Sequence, residues 1–265
     1  MKRLVIIMPA FLLVVGAYAQ TRADSIRVRL LNPSDNSVLV ASHRGVWKDV
    51  PENSVAAVEA AICAGADIVE IDVRRTIGGE LILHHGPILF RPAGAATLEE
   101  VLLAAKGRIM VNIDKAFVHF PEIVEIAQRT GTLEQIIFKS SMSAGEAAAL
   151  MGDYAGTVLF MPIIHIGRSG ALASIAEYEK LLAPHIYEWV FSNDAEPVLT
   201  VAGALLSGKS RIWVNTMWAS LCGGHDDHLS LSDPDAGYGW LIGEIGASAL
   251  QTDETAYLVD YLKKR

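Results

Sequence analysis

Eight short runs rich in Val, Ile and Leu recur along the chain, each followed by an amphipathic stretch. This alternation restricts the fold more than any other feature. The runs are residues 37–42, 67–73, 108–113, 135–140, 157–161, 187–191, 211–215 and 247–251. Helix-like segments fall near 53–64, 97–106, 119–130, 143–151, 170–183, 195–207 and 235–243, with a last one at 254–264. Thr97-x-x-Glu100 and Ser143-x-x-Glu146 read as capping boxes that open two helices. Gly65, Gly107, Gly131 and Gly208 stand where helices should stop. Eight strand–helix units in a chain of 265 residues predict a (β/α)8 TIM barrel. A doubly wound open sheet is the alternative. Residues 80–85, preceded by Gly78-Gly79, read as a small hairpin insertion after the second strand. With no internal repeat or linker, residues 20–265 are expected to form one domain.

The first nineteen residues read as an address rather than as fold. Met1-Lys2-Arg3 is basic, residues 4–16 are an apolar run, and Ala17-Tyr18-Ala19 fits a small-x-small cleavage site. The run is short for a bilayer span, which takes roughly 20 apolar residues. Residues 1–19 are therefore expected to be a signal peptide, with an uncleaved anchor as the alternative. The mature protein is expected to be exported, periplasmic or secreted, with no stable membrane span. Lys and Arg number 22 against 30 Asp and Glu, a formal charge of −8. That balance argues against nucleic acid as a partner, since binding it leans on cations that neutralise phosphates. Two cysteines, Cys63 and Cys222, exclude a disulfide scaffold. They are expected to be idle thiols, although export would permit a bond between them.

Polar residues gather where the strands end: Ser42-His43-Arg44, Asn112-Ile113-Asp114-Lys115, Lys139, Ser192-Asn193-Asp194, Asn215 with Trp218, and Gln251-Thr252-Asp253. In a barrel these positions converge on the mouth where chemistry is placed. Glu70 and Asp72 are two apart on the second strand and so point to the same face, the barrel interior. Two adjacent carboxylates repel unless neutralised. A divalent cation does this, and oxygen ligands favour Mg²⁺ or Ca²⁺. Asp114 offers a third carboxylate. The alternative is neutralisation by Arg44, Arg74 or Lys115. His43 and one of His84-His85 are candidates for proton transfer.

The ordered set His43-Arg44-Gly45, Pro51-Glu52-Asn53-Ser54, Gly65-Ala66-Asp67 through Glu70-Ile71-Asp72-Val73, and Gly246-Ala247 through Gln251-Thr252-Asp253 resembles the glycerophosphodiester phosphodiesterase family. Continuing without a gap from Asp72 places His85, not His84, on that family's second histidine. The resemblance implies a barrel that cleaves a small-molecule glycerophosphodiester to glycerol 3-phosphate and an alcohol, using a divalent cation. It implies His43 and His85 as the acid–base pair and Glu70, Asp72 and Asp114 as metal ligands. Arg44 would contact phosphate, and Glu52 would stand near the metal as a ligand or as a hydrogen-bond acceptor behind one. In the implied mechanism the substrate's own 2-hydroxyl attacks phosphorus, and water opens the cyclic phosphate that results.

The chain also departs from that pattern. Gly86 replaces the family's Asp after the second histidine, and Gly78 replaces the Asp of its turn. The family's acidic-x-Lys is here Asp114-Lys115 with nothing between. Neighbours on a strand point to opposite faces, so Lys115 is expected to leave the site and Lys139 to supply the cation. Trp218 and Tyr238 are candidates to wall the substrate pocket. The loop from Cys222 to His228 is a rival metal cluster or a set of turn residues. Two further readings stay open: phospholipase D-type cleavage of a lysophospholipid or sphingomyelin, and a barrel that binds phosphodiesters without cleaving them.

Overall fold

The structure, a computed structural model, describes residues 20–265; the signal-peptide reading of residues 1–19 lies outside them. Eight parallel strands close into a barrel: β1 (Leu39–Ser42), β2 (Ile68–Arg75), β4 (Met110–Asp114), β5 (Ile136–Ser140), β6 (Leu159–His165), β7 (Ile186–Val190), β8 (Arg211–Asn215) and β9 (Ala247–Thr252). Closure comes from β1, which pairs with β2 on one side and β9 on the other. The helices α2 (Val55–Ala64), α3 (Leu98–Ala105), α4 (Phe120–Thr130), α5 (Ala144–Met151), α6 (Ala171–Leu181), α7 (Pro197–Leu206) and α10 (Thr255–Lys264) follow strands and cover the barrel. Both sequence-read capping boxes form, at Thr97/Glu100 and Ser143/Glu146. The short β3 (Leu81–Leu83) pairs antiparallel with the end of β2, Val73 opposite Leu83, and is the hairpin arm.

Strand alternation sorts the side chains. Val69, Ile71, Val111 and Leu250 face outward to the helices, while Ile68, Met110, Ile137 and Ala249 fill the lower barrel interior. Each interior position two residues further along a strand is polar: Glu70, Asn112, Lys139 and Gln251. The barrel is thus apolar below and polar at its mouth. The bottom is stoppered by α1 (Arg22–Leu31), an element absent from the sequence reading. Its Ile26 and Leu30 pack among Leu39, Ile68, Ile137, Ile186 and Trp213. Arg211, almost fully buried, fastens this helix by donating to the carbonyls of Arg29, Leu30, Ser37 and Ser248 and to Asp35.

Two sequence expectations need correction. The fifth barrel strand does not stop at 161; it runs through Pro162 to His165, so its mouth end is polar like the others. The segment expected as one helix over 235–243 is the end of a longer excursion. It comprises α8 (Asp227–Ser232), a π turn at Asp235–Gly239 and α9 (Trp240–Gly243). Gly237 permits this packing, because a Cβ there would lie 2.0 Å from the Ser230 hydroxyl. Cys63 and Cys222 are free thiols, the first exposed and the second buried.

Candidate active site

At the mouth, β2 and β4 lie in register with Asp72 opposite Asp114, and Glu70 sits one interior step lower. Carboxylate oxygens of Glu70, Asp72 and Asp114 all lie within 4.8 Å of one another. Burial pushes the Glu70 carboxyl up to about 7, with Asp72 and Asp114 adding to the rise and Lys139 and His43 opposing it. Burial also opposes ionisation of Asp72, but hydrogen bonds from Lys115, Asn53 and His85 prevail and hold it at about 2. Three hard oxygen donors this close, in a site that disfavours their joint charge, fit a divalent cation such as Mg²⁺ or Ca²⁺. They are the one such group of His, Cys, Asp and Glu among the described residues.

The loops hold these carboxylates by strained turns. Of four non-glycine residues with positive φ among the described residues, three border the cluster: Arg44 at 57°, Asn53 at 52° and Lys115 at 65°. Such backbone costs on the order of 1 kcal/mol or more per residue and collects at functional sites. The turn at Arg44 aims its N–H at Glu70 Oε2, 3.0 Å away. Gly45 must follow, because a Cβ there would lie 2.6 Å from the Ala57 backbone. Asn53, buried, clasps Asp72 twice: its Nδ2 donates to Oδ2 at 2.9 Å, and its Oδ1 accepts the Asp72 N–H at 2.8 Å. The turn at Lys115 overturns the expectation that this side chain leaves the site. Left-handed backbone just past β4 breaks the strand's alternation and returns its Nζ to within 2.6 Å of Asp72 Oδ1.

His43 and His85 flank the cluster. His43 is nearly buried, its Nδ1 2.8 Å from Asp253 Oδ1 and its ring edge-on to Trp218 at 5.7 Å. With a carboxylate there, Nδ1 donates and Nε2 is left as the free basic nitrogen. His85 is half exposed, with Nδ1 3.0 Å from Asp72 Oδ2 and Nε2 3.3 Å from an Arg44 guanidinium nitrogen. A guanidinium can only donate, so Nε2 accepts and Nδ1–H is given to Asp72. The Lys115 ammonium 2.6 Å from the same Nδ1 then finds its acceptor in Asp72 Oδ1 instead. The neighbouring His84 turns to the Gly86 carbonyl at 2.9 Å, so the structure brings His85 to the cluster and not His84.

The remaining sequence-read residues divide. Arg44 reaches within 3.3 Å of Asp72, and one of its terminal nitrogens contacts both Glu52 oxygens at 2.8 and 3.0 Å. Glu52 thus lies on Arg44 and outside the carboxylate group. Lys139 is buried below the cluster, 3.3 Å from Asp114 and 3.2 Å from Glu188. Burial disfavours its charge, but Glu188, Asp114 and Glu70 overcome this and hold its pKa above the ordinary lysine value. Trp218 is half exposed at the rim. Tyr238 is not a pocket wall, because it is fully buried with its hydroxyl on Asp227. The rival cluster does not assemble. His225 stacks on Trp240 and bonds to the Ala236 carbonyl, Asp226 caps α8, and Asp227 is buried among hydroxyls. Sequence reasoning missed Asn53, Glu188 and the Asp253–His43 pair. The lone Glu inside the otherwise apolar run 187–191 was a signal for Glu188.

Three convergent carboxylates between two histidines at a barrel mouth are an arrangement suited to metal-assisted hydrolysis. Residues 43–147 match the model of the glycerophosphoryl diester phosphodiesterase family, and residues 160–262 match that of a domain of unknown function. A glycerophosphodiester phosphodiesterase of Caldanaerobacter subterraneus is 41% identical over 69 residues, which are 24% of this chain and 28% of that protein. A glycerophosphoryl diester phosphodiesterase structure from Parabacteroides distasonis has a TM-score of 0.68 at 17% identity, covering 91% of this chain and 92% of that one. An Oleispira antarctica phosphodiesterase in complex with the product sn-glycerol-3-phosphate has a TM-score of 0.60 at 15% identity, covering 88% and 99%. The family match covers residues 43–147 alone, and the chain spans less than a third of the length of the Caldanaerobacter protein to which it is similar.

Proposed function

We propose that this protein hydrolyses small glycerophosphodiesters to glycerol 3-phosphate and an alcohol. The observation that carries the reading is the convergence of Glu70, Asp72 and Asp114 between His43 and His85. Glu70, Asp72 and Asp114 would hold one divalent cation, Mg²⁺ or Ca²⁺, which when bound neutralises the reacting phosphate and lowers the pKa of the attacking hydroxyl. His43, its Nδ1–H spent on Asp253, takes the proton of the attacking 2-hydroxyl at Nε2. His85, on the open side, would act in its imidazolium form: with Nδ1–H kept on Asp72 and Nε2 turned from Arg44, the Nε2 proton goes to the departing alcohol oxygen as the phosphorus–oxygen bond breaks. Water then opens the cyclic phosphate with the proton roles reversed. Lys115 and Arg44 face the cluster and would bind the non-bridging phosphate oxygens, and Trp218 would wall the pocket beside His43. Lys139 supports Asp114 from below.

A second reading, a substrate with an apolar alcohol such as a lysophospholipid, draws on the exposed rings of Trp47, Phe90 and Trp218 in loops after β1, β3 and β8. We also propose that residues 1–19 direct export and are removed before Gln20, which N-terminal sequencing of protein from the periplasm or medium tests. The activity test is release of choline, ethanolamine or inositol from glycerophosphodiesters, with lysophosphatidylcholine in parallel, with and without EDTA. His43→Ala, His85→Ala and Glu70→Ala should each abolish a metal-dependent release. Turnover of the lysolipid alone would favour the second reading. Folded, cation-binding protein that turns over neither would overturn both.

A further inference from the structure

We infer that Asp227 is a positioning residue for His43, acting through Asp253 to fix the imidazole at the mouth of the barrel. The inference rests on the reading of His43 as the proton-transfer residue. It gives a role to residues within 160–262, the part of the chain that matches a domain of unknown function.

Asp227 is buried, and four donors converge on its carboxylate. Oδ1 accepts from the hydroxyls of Thr216 at 2.6 Å, Thr252 at 2.7 Å and Tyr238 at 2.8 Å. Oδ2 accepts the Asp253 N–H at 2.9 Å. The donors come from separate segments: Thr216 just past β8, Tyr238 in the π turn, Thr252 and Asp253 at the end of β9. The Asp227 N–H is itself given to the Thr216 carbonyl at 2.7 Å. From this junction the chain reaches His43 by two routes, one to its backbone and one to its imidazole. The Thr252 carbonyl accepts the His43 N–H at 3.1 Å, and Asp253 Oδ1 accepts its Nδ1–H at 2.8 Å.

A buried carboxylate is costly unless a cation or several donors compensate it. Among the described residues Asp227 forms no ion pair, so hydroxyls and one amide do all of this. Burial accordingly raises its carboxyl above the ordinary value, with the four hydrogen bonds opposing the rise. An apolar residue or an Asn would fill the same volume. The Asn would offer one acceptor oxygen, and its amide would turn hydrogens toward the Asp253 N–H. Only a carboxylate takes three hydroxyls on one oxygen and an amide on the other. The Asp253 backbone is thereby set where its side chain meets His43.

The test compares Asp227→Asn, Asp253→Asn and their double variant in the full chain. His43 is followed by ¹⁵N-histidine NMR through its Nδ1–H resonance, assigned by loss in His43→Ala, and turnover of glycerophosphocholine is split into kcat and KM. Asp227→Asn should lose or broaden the resonance as Asp253→Asn does. It should lower kcat by about 10- to 100-fold with KM within about threefold. The double variant should be no slower than Asp253→Asn within about twofold, because both act through one bond. Retention of the resonance in folded Asp227→Asn, or multiplication of the two losses, would overturn the inference. Should Asp227→Asn not fold, Tyr238→Phe and Thr216→Val each delete one donor while keeping shape. An unperturbed resonance in both would overturn it equally. The NMR result stands even if the wild-type protein hydrolyses no glycerophosphodiester, so failure of the proposed activity and failure of the positioning role are read separately.

Discussion

Replacing Lys139 by Met should damage the metal-free protein far more than its size suggests, and by an amount the geometry sets. The Nζ lies 3.2 Å from Glu188 and 3.3 Å from Asp114, with 4% of the residue exposed. At an effective dielectric of about 20, each contact is worth roughly 5 kcal/mol of gross attraction. The desolvation of Lys139 offsets much of that, and breaking such buried pairs leaves a net loss of about 3–5 kcal/mol. The loss arises mainly from Glu188, which would keep one donor, Asn215 Nδ2 at 2.8 Å. Adding Glu188→Gln removes the stranded charge, so the double variant should recover at least about half of the loss. Equilibrium urea unfolding in EDTA measures all three proteins. A Lys139→Met loss under about 1 kcal/mol, or a double variant no more stable than the single, would refute the electrostatic account of this layer.

Other expectations are shorter to state. Asn53→Ala removes both bonds that orient Asp72 and should weaken Mg²⁺ or Ca²⁺ binding by about 10-fold or more, read by calorimetry. Arg211→Met removes the hydrogen bonds that tie β8 to the Arg29 and Leu30 carbonyls of α1; it should cost about 3–5 kcal/mol in urea unfolding while leaving KM unchanged in the cold. In metal-free protein the two buried carboxyls act oppositely with pH. Asp72, held at about 2, contributes stability above its unfolded pKa near 4 that is lost as pH falls toward 2. Glu70, raised to about 7, binds its proton more tightly when folded, so its contribution is full below its unfolded pKa and is lost as pH rises from about 4.5 to 7. Unfolding titrations in EDTA should therefore show less stability at pH 7.5 than at pH 5, and saturating Mg²⁺ should reverse that order.

What could be read from the sequence was whatever depends on period and order. Strand alternation put Glu70 and Asp72 on one face, and the equivalent end of the next barrel strand put Asp114 beside them. The gapless spacing from Asp72 pointed to His85 rather than His84, and His85 is the one whose Nδ1 lies 3.0 Å from Asp72, while His84 turns to the Gly86 carbonyl. What escaped depends on single dihedral angles and on distant encounters. Lys115 returns to the site because one residue adopts φ 65°, which no periodicity encodes. His43 and Asp253 are 210 residues apart and meet only because β1 closes against β9. Glu188 looked out of place in an apolar strand, and its reason, Lys139, stands two strands away. The helix α1 interleaves its apolar residues with three Arg, so its buried face of Ala23, Ile26 and Leu30 was passed over, although Thr21-x-x-Asp24 forms a capping box.

The stopper at the barrel floor has a kinetic consequence. Ile26 and Leu30 find their seats against Ile186, Trp213 and Ala249, and Arg29 and Leu30 give their carbonyls to Arg211, some 180 residues downstream. A ribosome releases the seats last, so this helix waits while the strands line up. Contacts of such sequence separation slow folding, because a long loop must be closed before they form. The final native contacts of the floor are then whole-chain contacts, and a chain that ends before β8 leaves α1 without the Arg211 and Trp213 part of its seat.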